Sequence, residues 1–532
     1  MSVPDFVWPL YRPHLDYPRG PYSVLFAASV ARQPDRTALV FRHQQLTYRE
    51  LDALSNALAH ALLGLGIARG DRIALFMTNR PEYVITFLAV AKIGAVVTPL
   101  NPAYREAEVR YQLGDAGARA LIVHESLYPI VAAVRTELPE LRHVLYVGAE
   151  VPDGSVDFYA ALRAAPPTPP PDPEIDPARD LLALPYSSGT TGLPKGVMLT
   201  HRNLLCNHLQ CVAAGRISSA DTVLIFLPFY HIYGSMLTGA ALAAGATQVI
   251  MERFDLGESL ALAARYGVTL YYAVPPVVLA LAGAQAEALG HAFAQVRYVM
   301  SGAAPLPPEL TRRAAAVTGT MILQGYGLTE AGPLTHLSPV DDPRLLVPES
   351  IGVAVPDLED RVVDLDTGTR TLGPDEVGEL VVRGPQVMQG YWRAPEETAR
   401  ALRDGWLYTG DVARRDARGY VTIVDRKKEM IKYKGFGIAP AELEAALFEH
   451  PAVADCAVVG KPDAEAGEIP KAFVVARAGV TLRAEEILAF VAGRVAGYKK
   501  IREVEFIDAI PKNPSGKVLR RVLRARAKGG AP

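Results

Sequence analysis

The 532-residue sequence predicts an α/β protein with a large N-terminal domain and a small C-terminal α+β domain. In the first half, strand-like and helix-like segments alternate, which is typical of βαβ units and parallel sheets. Between residues 353 and 424 the pattern changes to short strands separated by turn signals. After residue 425, helices and short strands mix over roughly 100 residues, an ordinary domain size. We therefore expect two parallel-sheet α/β subdomains and a small β-barrel-like subdomain in residues 1–425, and a second domain in residues 426–532.

Apolar periodicity defines the elements of the first half. Its segments are, in order, a strand at 72–77, a helix at 82–92, an extended segment at 96–100, a helix at 105–113 and a strand at 120–123. A second such region runs from 222 to 322, with strands at 223–227 and 269–274.

The Pro-rich stretch at 166–173 (PPTPPPDP) could separate two domains or form a long surface loop. An apolar strand at 181–184 follows it, and a phosphate-binding motif comes directly after that strand. We therefore predict a loop within one large domain. Further along, the turn signals DTG and DARG interrupt an all-β region, and helices are expected at 441–449 and near 484–495. The boundary between the two domains is expected near residues 425–428.

The composition is that of an ordinary globular enzyme, with 50% hydrophobic and 21% charged residues. A formal net charge of -2 argues against nucleic acid or an anionic membrane as the main partner. Three cysteines are too few for a disulfide framework, and their spacing matches no zinc site. The N-terminus has no signal-peptide pattern, and no apolar run reaches the ~20 residues that span a bilayer. A cytoplasmic protein with at most peripheral membrane contact is expected.

The segment YSSGTTGLPKGVMLTH at 186–201 indicates the chemistry most directly. It combines hydroxyl donors, glycines that let the backbone approach a ligand, and one mobile cation, Lys195. A polyphosphate needs such closely spaced donors. No GxxxxGK[ST] pattern can be aligned to it, so it is not a Walker A loop. A polar surface loop is the alternative, but the spacing and order favour a nucleotide-phosphate loop.

A second motif, GYGLTE at 325–330, follows an apolar run at 321–323. This places it at the carboxyl end of a predicted strand, where open α/β sheets bind ligands. Tyr326 offers a flat face for a purine, Thr329 a hydroxyl for phosphate, and Glu330 a hard oxygen ligand for Mg²⁺. A structural turn is the alternative for this hexapeptide taken alone.

These motifs occur in order along nearly the whole chain, from TYREL at 47–51 to NPSGK at 513–517. In that order they resemble the signatures of the adenylate-forming superfamily, which includes acyl-CoA synthetases, 4-coumarate–CoA ligases, firefly-type luciferases and adenylation domains of peptide synthetases. The resemblance implies that residues 1–425 bind ATP and a carboxylic acid. It also implies Mg²⁺ and coenzyme A as further cofactors.

Motif by motif, the resemblance assigns the nucleotide site. The residues implied are Ser187, Ser188, Gly189, Thr190, Thr191, Gly192, Lys195, Gly302, Ala303, Ala304, Gln324, Gly325, Tyr326, Gly327, Thr329, Asp411, Ile423, Arg426 and Lys517. Among them, Asp411 and Arg426 are expected at the ribose, and Thr191 and Glu330 at the metal. Without the resemblance, Asp411 would be interpreted as a turn former.

Lys517 is the strongest candidate for catalysis. Adenylation joins a carboxylate to the α-phosphorus of ATP, and a lysine that reaches both anions offsets their repulsion. A solvated basic helix end is the alternative, since Arg520, Arg521 and Arg524 follow. The resemblance adds Thr191, Glu330, His231 and Lys432 as catalytic residues. For His231, a buried core histidine and a gate at the acyl site are the two alternatives, and the resemblance favours the gate.

The resemblance also implies that residues 426–532 form a mobile domain. It would present Lys517 for adenylation and then rotate about a hinge at Lys428, so that the KYKGF segment at 432–436 faces the site for thioester formation. Lys434, Gly435 and Phe436 would then lie on the CoA side. The family commonly has Gln or Asn after KGF, whereas this chain has Gly437, which removes one expected polar contact with the intermediate.

By resemblance to coumarate ligases, the acyl pocket is lined by Tyr233, Met236, Leu237, Met300, Ala303, Gly327, Pro333 and Leu334, together with His231. Met236, Leu237 and Met300 are apolar where hydroxycinnamate ligases are polar. Leaving a phenolic hydroxyl unpaired there would cost about 1–3 kcal/mol. The sequence therefore favours a medium- or long-chain fatty acid, hence fatty acid metabolism, or an apolar aryl acid.

The expected function is an ATP-dependent carboxylate–CoA ligase that releases AMP and pyrophosphate. An acyl-AMP ligase that loads a carrier protein is one alternative. A degenerate nucleotide-binding protein is an alternative from another class, although Lys195, Glu330, Asp411, Arg426 and Lys517 are all present. The expected partners are a small carboxylic acid, ATP and CoA, and no nucleic acid; a homodimer is compatible with the sequence.

Overall fold

The computed structural model describes residues 14–187, 193–434, 436–463, 465–512 and 517–528, without the side chain of Phe436. The α-helices within these residues are α1 (Ser23–Arg32), α2 (Tyr48–Gly64), α3 (Pro81–Lys92), α4 (Glu106–Ala116), α5 (Tyr128–Val134), α6 (Phe158–Ala164), α7 (His201–Ala214), α8 (Ile232–Ala244), α9 (Leu256–Tyr266), α10 (Pro275–Ala282), α11 (Ala286–Ala292), α12 (Pro308–Thr318), α13 (Pro395–Ala401), α14 (Pro440–Phe448), α15 (Ala484–Ala492) and α16 (Arg520–Ala527).

The strands of the same residues are β1 (Thr37–Phe41), β2 (Gln44–Thr47), β3 (Arg72–Phe76), β4 (Val96–Pro99), β5 (Ala118–His124), β6 (His143–Val147), β7 (Val156–Asp157), β8 (Leu181–Ala183), β9 (Tyr186–Ser187), β10 (Lys195–Thr200), β11 (Thr222–Ile225), β12 (Thr247–Ile250), β13 (Leu270–Ala273), β14 (Tyr298–Ser301), β15 (Met321–Gly327), β16 (Leu334–Leu337), β17 (Val353–Ala354), β18 (Glu359–Val363), β19 (Gly378–Arg383), β20 (Gly390–Tyr391), β21 (Leu402–Arg403), β22 (Trp406–Arg415), β23 (Val421–Arg426), β24 (Ile431–Tyr433), β25 (Phe436–Ile438), β26 (Val453–Asp463), β27 (Gly467–Ala476) and β28 (Glu503–Phe506).

Two large sheets form the bulk of the molecule. The first has the order β17-β16-β15-β14-β13-β11-β12-β1-β2 and is parallel from β15 to β1. The second has the order β20-β10-β8-β4-β3-β5-β6-β7, with β9 paired to β10, and is parallel from β8 to β7. This confirms the predicted pair of parallel-sheet α/β subdomains.

The predicted elements of the first half are confirmed with small changes at their ends. The strand predicted at 72–77 is β3, the helix at 82–92 is α3, and the strand at 120–123 lies within β5. The motif TYREL begins α2 with a capping box, in which the Thr47 hydroxyl accepts from the Glu50 N–H and the Glu50 carboxylate accepts from the Thr47 N–H.

The Pro-rich stretch at 166–173 has no regular secondary structure and runs along α2. Asn56 Nδ2 donates to the Pro167 carbonyl at 3.0 Å, and His60 Nε2 lies 3.1 Å from the Thr168 carbonyl. These contacts tie the stretch to the same body that carries β3 and β4. The interpretation as a loop therefore agrees with the structure.

The sequence suggested that residues 353–424 form one all-β unit, and the structure shows that they do not. A small antiparallel sheet with the order β18-β19-β22-β21, with β23 on β22, accounts for most of it. However, β17 extends the first large sheet and β20 pairs with β10 of the second, while α13 lies between β20 and β21. Strands this short carry no sequence information about which sheet they join.

The C-terminal part forms its own sheet, with the order β25-β24-β27-β26 and β28 beside β27. Helices α14 and α15 pack on it through an apolar cluster that includes Leu443, Leu447 and Ile487. This is the predicted small α+β domain. In the part of the chain that the structure describes, no helix has both the length and the apolar composition needed to cross a membrane.

Candidate active site

The phosphate-loop motif belongs to a β-hairpin. Strand β9 pairs antiparallel with β10, so that Ser187 lies opposite Lys195. Lys195 Nζ lies 3.2 Å from the Glu397 carboxylate and above the ring of Tyr391, 5.8 Å from its centroid. Five predicted residues of this motif lie outside the described residues: Ser188, Gly189, Thr190, Thr191 and Gly192.

Glu330 lies close to the same hairpin, in a short 3₁₀ turn after β15 that Thr329 begins. The Tyr391 hydroxyl donates to Glu330 Oε1 at 2.9 Å. Burial and the Glu330 charge raise the pKa of Tyr391, which keeps the phenol protonated. Lys195 and Glu330 are thus gathered around Tyr391, a residue that the sequence analysis missed because only the pairing of β20 with β10 brings it there.

Asp411 lies within strand β22 rather than in a turn, and 4% of its surface is exposed. Its carboxylate accepts from the Tyr326 hydroxyl at 2.5 Å and lies 3.0 Å from Arg426 Nε. Direct pairing of Asp411 with Arg426 across β22 and β23 fixes this geometry. Burial and the Asp411 charge raise the pKa of Tyr326, so its hydroxyl remains a donor. Three residues predicted for the nucleotide are therefore in mutual contact.

The segment SGAAP, at residues 301–305, begins at the last residue of β14 and turns sharply, with Ala303 at a φ of +68°. A Cβ at Gly302 would lie 3.1 Å from the Tyr233 ring, so the backbone passes close beneath that aromatic side chain. Gln324 lies in β15, and its side-chain amide donates to the Pro348 carbonyl at 2.6 Å. Ile423 is half-buried in β23.

His231 begins helix α8, and its Nδ1 accepts from the Tyr233 N–H at 3.2 Å. Burial, together with the nearby positive charge of Lys517, lowers the pKa of His231 to about 4. The imidazole is therefore neutral at physiological pH. Its N–H and ring can contact a ligand, but it supplies no positive charge to a carboxylate.

Lys517 is half-buried and surrounded by charged groups of both signs. Burial and the Arg426 guanidinium lower its pKa, while the carboxylates of Glu429, Asp411 and Glu330 act in the opposite direction. Its loop is closed by a bridge between Lys512 and Val518, and α16 begins at Arg520. The C-terminal part of the chain thus delivers one cation to the group formed by Glu330, Asp411 and His231.

The predicted acyl-pocket residues Tyr233, Met236, Leu237, Met300, Pro333 and Leu334 are buried, whereas Ala303 and Gly327 are exposed. The Tyr233 hydroxyl contacts the Met300 carbonyl at 3.4 Å. A Cβ at Gly325 would lie 2.9 Å from Met300 Sδ, and one at Gly327 only 2.1 Å from the Pro333 carbonyl oxygen. At Gly327 the contact is with backbone, so only glycine allows this close approach.

Sequence reasoning missed the aromatic residues behind this wall. Tyr272 on β13 pairs directly with Met300 on β14, so the two side chains share one face of the sheet. The Tyr272 hydroxyl lies 3.2 Å from that of Tyr298, which donates to the Gly215 carbonyl at 2.9 Å. The register of β13 and β14 could have placed Tyr272 there, but sequence alone does not give that register.

The KYKGF segment lies on the hairpin of β24 and β25, and Lys432 and Lys434 are exposed. Their N–H groups donate to Glu468 Oε2 and the Ala466 carbonyl, at 2.9 and 2.8 Å. Gly435 and the side chain of Phe436 lie outside the description. A Cβ at Gly437 would meet the flexible tip of Met430 at 3.0 Å, so the missing side chain is not excluded by rigid structure.

Comparisons with known proteins agree with this arrangement. Residues 26–392 match the model of a family described as AMP-binding enzyme, and residues 442–517 match its C-terminal domain. The chain is 40% identical to 4-coumarate–CoA ligase 5 of Oryza sativa subsp. japonica, over all of this chain and 97% of that protein.

A long-chain-fatty-acid–CoA ligase of Bacillus subtilis (strain 168) is 36% identical over 96% of this chain and 95% of that protein. The crystal structure of ATP-bound MatB from Rhodopseudomonas palustris superposes with a TM-score of 0.87 at 33% identity, covering 95% of this chain and 99% of that one. Similarity therefore extends over both the large and the small domain.

Proposed function

Since the chain belongs to the family of AMP-binding enzymes and is an AMP-forming acyl-CoA synthetase, we propose that its acid is a fatty acid or an apolar aryl acid. Such an enzyme uses ATP, Mg²⁺ and coenzyme A. The acid first attacks the α-phosphorus of ATP and expels pyrophosphate, and the CoA thiol then displaces AMP from the acyl-AMP. In the second step the S–H proton is released as the C–S bond forms and the bond to AMP breaks, and neither step needs a redox partner.

The position of Lys517 is the main support for the first step, adenylation. It is held by the C-terminal part of the chain among Glu330, Asp411 and Arg426, next to the neutral His231. In the adenylation step its ammonium group neutralises the carboxylate of the acid and the charge that develops on the bridging oxygen. Because His231 is uncharged, the carboxylate depends on Lys517 for a cation, while His231 orients the acid at the entrance to the pocket.

Tyr326, Asp411 and Arg426 bind the nucleoside. The buried Asp411 carboxylate is held by Tyr326 and Arg426, so its position is set before the ribose hydroxyls donate to it. Lys195 is paired with Glu397 near the surface, a weak interaction that a phosphate can replace. Ser187 and the described glycines of the two motifs supply close backbone approach to the phosphates and the purine.

Glu330 fits the metal that accompanies ATP. One carboxylate oxygen accepts from Tyr391, which orients the group and leaves the second oxygen for a cation. A single protein carboxylate together with phosphate oxygens and water is the usual environment of Mg²⁺. When bound, the ion neutralises the β- and γ-phosphates. Thr191, the other predicted metal residue, lies outside the described residues.

The second step is assigned to the β24–β25 hairpin. We place the division between residues 425 and 426, at the last residue of β23, with Lys428 as the hinge, because β23 belongs to one sheet and β24, which begins at Ile431, belongs to another. Rotation there would exchange Lys517 for Lys432 and Lys434 at the acyl-AMP. Carboxyl activation and thiol attack would then use one pocket in succession.

The preference for an apolar acid rests on the walls of the acyl pocket. Met236, Leu237 and Met300 present hydrocarbon and sulfur, and each has at most 2% of its surface exposed. Behind them, the Tyr298 hydroxyl donates a hydrogen bond to the Gly215 carbonyl, and the Tyr272 hydroxyl donates one to the Tyr298 oxygen. The Tyr272 and Tyr298 hydroxyls are therefore not available as donors, and a phenolic hydroxyl of a substrate that stays unpaired against Met236, Leu237 and Met300 costs about 1–3 kcal/mol.

We also propose a cytoplasmic location and no nucleic-acid partner. The three cysteines are free and buried, as suits a reducing compartment, and the net charge is close to zero. A homodimer would be compatible with the chemistry, since every group named above belongs to one chain.

The test is carboxylate-dependent ATP–pyrophosphate exchange without CoA, using alkanoates of increasing length, benzoate, cinnamate and coumarate. We expect exchange with alkanoates or unsubstituted aryl acids that exceeds exchange with coumarate by about tenfold, the factor that corresponds to 1.4 kcal/mol. Addition of CoA should then yield free acyl-CoA. Equal rates with coumarate and an alkanoate would contradict the apolar pocket, and adenylation without acyl-CoA would favour a carrier protein as acceptor.

A further inference from the structure

Asp425 lies at the junction between the small antiparallel sheet and the C-terminal sheet. It belongs to β23, and its carboxylate accepts from the Arg426 N–H at 2.6 Å and from the Ala441 N–H at 3.0 Å. Ala441 is in the first turn of α14, whose N-cap residue, Ala439, has no side chain that can accept a hydrogen bond. Asp425 therefore supplies, from another sheet, the acceptor that this helix lacks.

The same junction contains a buried guanidinium. Arg520 Nε lies 2.7 Å from the Glu429 carboxylate, and its Nη1 donates at 2.6 Å both to Glu444 and to the Val458 carbonyl. Arg520 is the first residue of α16 and follows Lys517 by three positions. The start of α16, three residues after Lys517, is therefore fixed to Glu429 and Glu444.

The turn between β23 and β24 completes the connection. Lys427 donates through its N–H to the Gly410 carbonyl and through Nζ to Glu379, both at 2.8 Å. From the other side, Arg524 of α16 donates to the carbonyls of Lys428 and Glu429, at 3.3 and 3.4 Å. The strand that carries Asp411 and the helix that follows Lys517 are thus both attached to one turn.

Carboxylates and guanidinium groups are close together at this junction. Three carboxylates, those of Asp425, Glu429 and Glu444, face the Arg520 guanidinium, with Arg426 and Arg524 nearby. Asp425 is 5% exposed, and burial raises its pKa to about 6, with Glu444 acting in the same direction. Near neutral pH, the ionised carboxylate is therefore kept in a site that favours its protonated form.

We infer that Asp425 is a positioning residue for the proposed adenylation step: its contact with Ala441 holds the C-terminal domain in the arrangement that brings Lys517 to Glu330 and Asp411. Asp425 touches no reacting atom. It acts by capping α14 across the junction, and removal of this cap allows the C-terminal domain to leave this arrangement. The inference rests on the proposed function for its kinetic readout only.

Protonation of Asp425 should favour this arrangement. We call the arrangement with the Asp425–Ala441 contact closed and the one without it open. In the open arrangement the carboxyl group regains an ordinary pKa of 3.8, so a proton binds more tightly to the closed arrangement. Between pH 7 and pH 5 the closed arrangement should gain about tenfold over the open one, from a pKa near 6 against 3.8. An asparagine, which is neutral and keeps the acceptor oxygen, should mimic the protonated state at every pH.

The experiment compares wild type, Asp425→Asn and Asp425→Ala in ATP–pyrophosphate exchange from pH 5 to pH 7.5. We expect Asp425→Asn to match wild type at pH 5 and to exceed it by severalfold at pH 7.5. Taking the ratio of the two rates cancels the titration of the substrates. Asp425→Ala, which lacks the acceptor, should be slower than Asp425→Asn by roughly fivefold at all pH values, the effect of one helix cap.

Hydrogen exchange of the Ala441 amide in the ligand-free protein provides a readout without catalysis. It should accelerate in Asp425→Ala and stay slow in Asp425→Asn. The control is Asp157→Ala, which removes a carboxylate that caps α6 through the Tyr159 and Ala160 N–H groups at 2.8 and 3.0 Å. This control should change neither the exchange of Ala441 nor the adenylation rate.

Two results would overturn the inference. One is an Asp425→Ala protein with wild-type adenylation at pH 5 and unchanged Ala441 exchange; the other is an equal loss of adenylation in Asp157→Ala. Absence of pyrophosphate exchange with every acid in wild type would instead contradict the proposed function, and the Ala441 measurement would still decide the role of Asp425.

Discussion

Lys517 combines burial with neighbours of both charge signs, and its contribution to catalysis can be measured by itself. Replacing it with alanine should lower acid-dependent pyrophosphate exchange by about 10²–10³, as expected for the loss of one fixed electrostatic donor. Structural effects should be small, since the side chain is only half-buried. The rate is measured with saturating ATP and the preferred acid.

Lys528→Ala is the matched control, because Lys528 is an exposed lysine at the C-cap of α16, the helix that follows Lys517. It should adenylate at the wild-type rate. If Lys517→Ala also retained that rate, the assignment of Lys517 would be wrong, and the basic C-terminal run would be only a solvated helix end.

Tyr272 gives a second prediction at the scale of one side chain. It lies beside Met300 on the same face of the sheet and is 1% exposed, so it limits the room behind the acyl wall. Tyr272→Ala should shift the preferred alkanoate to a longer chain by several methylene groups. The length profile in pyrophosphate exchange is the measurement.

Tyr272→Phe keeps the ring and removes only the hydroxyl that donates to Tyr298. The length profile of this variant should therefore stay that of wild type, with a small loss of stability of about 1 kcal/mol for one hydrogen bond. The same profile in wild type and in Tyr272→Ala would mean that the tail of the acid lies elsewhere.

The sequence could predict that some residues belong to the candidate site, but not others. Tyr326, Asp411 and Arg426 were predicted from three separate motifs, and the structure brings them into contact. Tyr272 and Tyr391 reach the site only through strand pairing. Such contacts depend on register and sheet order, which local patterns do not encode.

At the scale of elements, the turn between β23 and β24 gives a testable expectation about the second step. Lys428→Pro fixes φ near −65° and removes backbone freedom at the proposed hinge. We expect overall acyl-CoA formation to fall by about tenfold or more, while pyrophosphate exchange persists, because only the second step needs a rotation.

Lys428→Ala is the corresponding control, since it removes the side chain and leaves the backbone free to rotate. It should form acyl-CoA at the wild-type rate. A proline variant that ligates CoA normally would exclude rotation at Lys428.

Long periodic elements were predicted well, and short ones were not. Strand β3 and helix α3 match their predicted ranges within one residue, because burial on one or both faces leaves a clear periodicity. The two-residue strands β17 and β20 were assigned to an all-β unit, but each belongs to a different large sheet. Two residues contain no period, so only tertiary contacts decide their partner.

For the molecule as a whole, three histidines whose pKa values are lowered by burial predict that the folded state loses stability in acid. Burial lowers the pKa of His201 to about 4, of His208 to about 3 and, with Lys517, of His231 to about 4. Unfolding restores a pKa near 6.5, so the unfolded chain binds more protons below that pH and stability is lost as pH falls from about 6.5 towards 4. Asp425, whose folded pKa of about 6 is raised by burial, opposes this trend.

The net slope should be roughly 2–3 kcal/mol per pH unit between pH 6 and pH 5, from three histidines against one carboxyl group. Urea midpoints at each pH are the measurement. His208→Gln removes one titrating group and should reduce the slope by about 1.4 kcal/mol per pH unit. Stability that does not change between pH 7 and pH 5 would mean that these imidazoles are hydrated or paired.

The first large sheet also determines when this chain can fold. Strand β1, at Thr37–Phe41, is inserted between β2 and β12, and β12 lies at Thr247–Ile250. During synthesis, β1 has no parallel neighbour until about 200 further residues have left the ribosome, which takes roughly 10–40 s at 5–20 residues per second. For that time an apolar strand edge is available for wrong pairing. Expression yield should therefore depend on translation rate and on chaperones that shield the first hundred residues.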